Sequence, residues 1–190
     1  MKLILASASA RRQELLKRIT ENFKIIVSDF DEDKVSFCGD FQDYVIALAK
    51  GKAQQVALGQ NDEALVIGCD TIVAINDRVL GKPKDKQDAY NMLKLLSGNT
   101  HKVYSGIAII NTATSQVLTD YAVTEVKFSS ISDEEIWNYI ESGDPMDKAG
   151  AYGIQGKAAI FIEEIHGCYY NVVGLPLNKL YNMLDYKNIH

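Results

Sequence analysis

The chain has 190 residues, of which 47% are hydrophobic and 24% charged, with a formal net charge of −5. That length suits one domain, residues 1–190, and the composition is that of a soluble globular protein. The negative balance excludes a general nucleic-acid binder, which needs a basic face. No apolar run approaches the roughly 18 residues that a membrane span requires. Residues 3–6 are too short for a signal-peptide core.

In chain order, Met1-Lys-Leu-Ile-Leu-Ala6 reads as a short buried strand and residues 13–19 as a helix. Residues 23–27 read as a strand that ends in the acidic run Asp29-Phe-Asp-Glu-Asp33. Asp40 is placed to cap a helix reaching about Leu58, with Phe41, Val45, Leu48 and Val56 on its apolar stripe. The continuous apolar run 65–75 is the pattern of a central strand buried on both faces. Asn76-Asp77 marks a tight turn into residues 78–80. A helix from Asp85 to about Leu96 stops at Gly98. Residues 101–110 and 116–128 form a long hairpin. Ser132-Asp-Glu-Glu135 is a capping box for a helix ending near Gly143. The glycine-rich Lys148-Ala-Gly-Ala-Tyr-Gly-Ile-Gln-Gly156 comes next, followed by strands over 158–165 and 169–173. Pro176 then opens a closing helix. The pattern is mixed α/β with a long antiparallel portion, not a simple parallel doubly wound sheet.

Several residues carry chemistry. Ser7, Ser9, Arg11 and Arg12 stand where a strand hands over to a helix N-terminus. The plain reading is that the serines cap the helix and the arginines are solvated; the other is that all four residues cradle a phosphate. Two arginines at the positive end of a helix dipole are unfavourable unless an anion answers them, which favours a phosphate. Asp70 interrupts an apolar strand, where a carboxylate is costly unless paired or bound to metal; it is read as a metal ligand or general base. Lys52 falls on the apolar row of its helix, where a snorkelling stem is the ordinary reading. Lys82, fixed by a turn before Pro83, is weak evidence by itself. Glu32 in the acidic loop offers a second carboxylate for Mg²⁺ or Mn²⁺, ions that take one or two carboxylates and otherwise bind substrate phosphates. In the glycine-rich segment, Gln155 has an amide suited to reading a base edge, and the glycines allow close backbone approach to a ligand. Tyr152 and Ile154 between them argue for a packed loop. Cys38, Cys69 and Cys168 read as reduced thiols. His101, His166 and His190 show neither metal spacing nor a nucleophile partner, so Ser-His-Asp and Cys-His mechanisms have no support.

Taken as an ordered set, these motifs resemble the Maf-family nucleoside triphosphate pyrophosphatases, from Leu3 to about Leu184. The resemblance is carried by Ala6-Ser-Ala-Ser-Ala-Arg-Arg12, Glu32, Lys52-Ala53, Asp70-Thr-Ile-Val73, Gly81-Lys-Pro83, Tyr104-Ser-Gly106, the segment 147–156 and Val173-Gly-Leu-Pro-Leu177. It implies an elongated α/β fold with two lobes around a cleft, similar to inosine triphosphate pyrophosphatases. It also implies a cytoplasmic, metal-dependent hydrolase, often homodimeric, that splits the α–β phosphate bond of nucleoside triphosphates. By the same resemblance Asp70 is the general base, with Glu32 and Asp70 near the metal. Ser7, Arg11, Arg12, Lys52 and Lys82 contact phosphate, and Arg12, Thr71 and Gln155 bear on base choice. The Gly153-Ile-Gln-Gly156 run resembles the dTTP/UTP branch rather than the 7-methyl-GTP branch. Ala10 stands at the family's usual proline and Ser105 at a common threonine. The alternatives are a pyrophosphatase for modified or purine nucleotides of the 7-methyl-GTP or ITP type, and a non-catalytic nucleotide-binding regulator of cell division.

Overall fold

A computed structural model describes residues 1–184. His190 lies outside the described residues. The described residues divide into two compact units interleaved in sequence: residues 1–71, 105–122 and 174–184, and residues 72–104 and 123–173. The architecture is mixed α/β, as the sequence implies.

The first unit holds β1 (Lys2–Leu5), α1 (Ala10–Lys17), β2 (Lys24–Ile25), α2 (Phe41–Leu58) and α6 (Leu177–Met183). It also holds the first part of β3 (Ala64–Ile75), the second part of β5 (Thr100–Asn111) and the first part of β6 (Val117–Phe128). The strand order here is β2-β1-β3-β5-β6. β1 is parallel to both neighbours, Leu5 facing Ile25 on one side and Ile67 on the other. α2 forms where the sequence places it, because Asp40 accepts from the amides of Gln42 (2.7 Å) and Asp43 (3.0 Å). These bonds satisfy donors that the first helical turn leaves open. Its Ala49, Ala53 and Val56 pack on Ile4, Val66, Ala108 and Ile110.

That contact is unusually close. A Cβ at Gly68 would collide with the Ala49 carbonyl oxygen and lie 2.8 Å from the Ala53 amide nitrogen. On β5, a Cβ at Gly106 would collide with the Val45 carbonyl and lie 2.8 Å from the Ile46 nitrogen. Two missing side chains thus let α2 rest directly on two strands.

The second unit holds the rest of β3, β5 and β6, together with β4 (Arg78–Leu80), α3 (Lys86–Leu96), α4 (Asp133–Glu141), β7 (Ile162–His166) and α5 (Tyr169–Val173). β4 turns back antiparallel on β3 through Asn76 and Asp77, both at positive φ, and β7 pairs antiparallel with β6. The capping box is present: Ser132 and Glu135 satisfy each other's backbone amides at 3.3 and 2.8 Å. The core is aromatic, with His101, Phe128 and Tyr152 meeting edge to face at centroid distances of 4.8–5.3 Å.

Four expectations are corrected. Helix α1 begins at Ala10, earlier than residue 13, because Ser9 caps it. The strand expected over 23–27 keeps only Lys24 and Ile25. Residues 157–161 form a 3₁₀ turn before β7 instead of a continuous strand. Residues 169–173, β-prone by composition, are helical. There the fully buried Asn171 donates to the Val103 carbonyl and to Thr124 Oγ1, both at 2.9 Å. One helical turn aims the NH2 group of that amide inward, and its two buried hydrogen bonds outweigh local propensity.

His101 is 1% exposed, with Nε2 2.7 Å from the Tyr152 hydroxyl. Burial pushes its imidazole down from 6.5 to about 4. Between those values the unfolded chain binds a proton that the folded chain refuses. Stability is therefore lost as pH falls from about 6.5 toward 4, by about 3 kcal/mol. Urea unfolding midpoints across that range should fall steeply for the native protein and less steeply for His101→Gln. Equal slopes would remove His101 as the cause.

Candidate active site

The first unit assembles two clusters from opposite faces of β3. Strand alternation sends Gly68 and Asp70 toward α2, and Cys69 and Thr71 to the other face.

On the α2 face, Asp70 is 7% exposed, and its Oδ1 is hydrogen-bonded and ion-paired to Lys52 Nζ. Glu32, from the turn Glu32–Lys34, reaches the same ammonium at 2.8 Å. The Lys52 side chain is 14% exposed, so it does not simply snorkel into water. Burial by itself lowers its pKa, yet the charge and hydrogen bond of Asp70, with the bond to Glu32, outweigh that and hold it above the ordinary value. Burial, then the charges of Asp70, Glu32 and Asp33, raise the Tyr44 hydroxyl.

Glu32 and Asp70 thus converge on one cation. Hard carboxylate oxygens are the donors Mg²⁺ and Mn²⁺ prefer. Among the described residues, no group of three or more His, Cys, Asp or Glu could hold a metal. Glu32 and Asp70 are two carboxylates, a donor set that would fit an ion completed by phosphate and water oxygens.

On the other face, Arg12 donates from Nε to the Gly174 carbonyl (2.9 Å) and from one terminal nitrogen to Thr71 Oγ1 (3.1 Å). Thr71 Oγ1 lies 2.8 Å from Ser105 Oγ and 3.4 Å from the Gly174 oxygen. The Cys69 thiol also donates to Gly174 O (3.3 Å). Burial pushes that thiol's pKa up, which leaves it a packing residue and not a nucleophile. Nearby, Ser7 is 7% exposed and its Oγ accepts from the Ser9 amide (3.2 Å), while Ser9 caps α1 through the Arg12 amide (3.4 Å). Arg11 is half-buried in the first turn of α1.

Lys82 and Gln155 belong to the second unit, both exposed. Their segments touch there: the Gly150 amide donates to the Gly81 carbonyl at 3.0 Å. The glycine-rich loop is packed, as Tyr152 and Ile154 suggest, but two of its glycines serve the protein's own packing. A Cβ at Gly153 would lie 2.8 Å from the Lys148 stem, and one at Gly156 would lie 2.5 Å from Asp144 Oδ2. Lys148 in turn bonds Asp144 (3.2 Å) and Asp147 (2.7 Å). Tyr152 is 5% exposed and sits in the aromatic core, so it does not face a ligand.

Sequence reasoning gave no role to Gly174, whose only signal was its place before Leu175-Pro176. It noted Ser105 only within the Tyr104-Ser-Gly106 motif and as a departure from a common threonine. Contacts across 34 and 162 residues leave no local trace.

A family model described as Maf-like protein matches residues 2–187. A dTTP/UTP pyrophosphatase of Clostridium novyi (strain NT) is 63% identical over 183 residues, 96% of each chain. A dTTP/UTP pyrophosphatase of Clostridium botulinum (strain 657 / Type Ba4) is 61% identical over 184 residues, 96% of this chain and 95% of that one. Among solved structures, the Ham1 protein of Staphylococcus aureus aligns with 98% of this chain and 100% of its own, at a TM-score of 0.50 and 16% identity, a likeness of fold alone. With a family match over nearly its whole length and identities above 60%, the chain belongs to the Maf family.

Proposed function

We propose that the protein hydrolyses nucleoside triphosphates, dTTP and UTP above others, at the α–β bond, releasing the monophosphate and pyrophosphate. The observation that carries the reading is the Asp70 carboxylate, set in an apolar strand and held by Lys52, which also pairs with Glu32. The substrate choice draws support from the names of the Clostridium relatives.

Asp70 orients the attacking water and takes its proton as the oxygen bonds to the α-phosphorus; the bond to the β-phosphate oxygen breaks and pyrophosphate leaves. Lys52, Arg11, Arg12 and Lys82 offset the triphosphate charge and the charge that gathers on the leaving group, with Ser7 at the phosphate end. Glu32 and Asp70 are the residues that would hold Mg²⁺ or Mn²⁺, which when bound supplies charge neutralisation on the phosphates. Gln155, with Arg12 and Thr71, bears on the base. The substrate is a small nucleotide, not nucleic acid, in keeping with the net charge of −5. No helix among the described residues is long and apolar enough to cross a membrane. A cytoplasmic site of action agrees with three free cysteines, and a homodimer is carried over from the family likeness.

The test is a panel of dTTP, UTP, 7-methyl-GTP, ITP and the common purine triphosphates, with Mg²⁺, Mn²⁺ or chelator, read as pyrophosphate released. Pyrimidine turnover that vanishes with chelator is the expected result. A purine outperforming dTTP and UTP would overturn the substrate choice, and tight dTTP binding without turnover would overturn the activity.

A further inference from the structure

We propose that Ser105 is a positioning residue: acting through Thr71, it fixes the Arg12 guanidinium. The consequence for substrate rests on the reading above, in which Arg12 touches the nucleotide.

Ser105 is fully buried on β5, where a hydroxyl needs a partner, and its Oγ is 2.8 Å from Thr71 Oγ1 on β3. A threonine hydroxyl has one proton and two lone pairs. Arg12, which can only donate, occupies one lone pair at 3.1 Å. The Thr71 proton goes either to Ser105 or to the Gly174 carbonyl, because both accept within reach. Thr71 Oγ1 thus serves as a holder of Arg12.

Arg12 is held along two sides, by Thr71 and by the Gly174 carbonyl at 2.9 Å. The two bonds use two of its five N–H groups and fix the plane of the fork. A long side chain already fixed loses less rotamer freedom when a ligand binds. Without the Ser105 hydroxyl, Thr71 Oγ1 loses its 2.8 Å partner and keeps Arg12 and the long 3.4 Å contact to Gly174. The acceptor that aligns the guanidinium is then less firmly fixed.

The experiment uses the full chain with Ser105→Ala and Ser105→Thr. Arg12 Nε–H exchange is followed by nitrogen-15 NMR without nucleotide, the signal being identified by its loss in Arg12→Lys. KM and kcat are measured for dTTP and UTP. Ser105→Ala should speed Arg12 Nε–H exchange and raise KM by about 3- to 10-fold, the scale of one hydrogen bond. Ser105→Thr, which keeps a hydroxyl on a strand that favours β-branching, should restore both. Unchanged Nε–H exchange in Ser105→Ala overturns the proposal, as does Ser105→Thr failing on both readouts. Faster exchange with KM unmoved upholds the positioning and refutes instead the contact between Arg12 and nucleotide.

Discussion

Asp70→Asn is expected to lower kcat for dTTP and UTP on the order of 10²–10⁴-fold, the range that a positioned general base supplies. Asparagine keeps the shape and an oxygen for Lys52 but cannot accept the water's proton. Nucleotide affinity measured without divalent metal should hold or tighten, because one negative charge leaves the neighbourhood of the phosphates. Pyrophosphate release under single-turnover conditions, paired with calorimetric titration of a non-hydrolysable dTTP analogue, separates the two quantities. Near-native turnover would remove Asp70 as the base. Loss of binding together with turnover would instead make the carboxylate part of the binding platform, through Lys52.

The second large effect comes from a residue with no side chain. Gly68→Ala should destabilise the protein by about 3 kcal/mol, at the upper end for overpacking, since the atoms in the way are backbone atoms of α2 and cannot rotate aside. For a chain of this size that is roughly 6–12 °C in Tm. Activity should suffer further. Gly68 and Asp70 lie on one face of β3, and the Ala53 that Gly68 approaches follows Lys52 directly. Lifting the helix withdraws the ammonium from its carboxylate, and a displacement of about 1 Å can cost about 10²-fold in rate. Gly59→Ala is the control, because its Cβ would meet nothing nearer than 3.6 Å. A melting temperature for Gly68→Ala equal to that of the control would mean that the close approach does not govern the helix position.

What the sequence made legible depended on range. Asp40, Asp85 and Ser132 announced α2, α3 and α4 because capping chemistry acts within three residues. The turn at Asn76-Asp77 was readable for the same reason, and the long apolar run gave β3 almost to the residue. Asp70 stood out because a carboxylate in such a run demands a partner. The partner itself was hidden: taken alone, Lys52 was an ordinary snorkelling lysine until α2 was laid on β3. Residues 169–173 misled because Tyr, Asn and Val were weighed by propensity, while Val103 and Thr124, far away in sequence, fixed the conformation through Asn171. The Arg12–Thr71–Ser105–Gly174 cluster joins four separate segments and was beyond any windowed reading.

The packed glycine-rich segment has a consequence for how a ligand can be received. Glycines lose more backbone freedom on ordering than other residues, and a loose loop would incur that loss at each encounter. Here Lys148, clasped by Asp144 and Asp147, fills the space beside Gly153, and Asp144 fills the space beside Gly156. The ordering is completed once, during folding. On the proposed reading, a nucleotide that reaches Gln155 is expected to meet backbone already in place, with little loop ordering left to its capture.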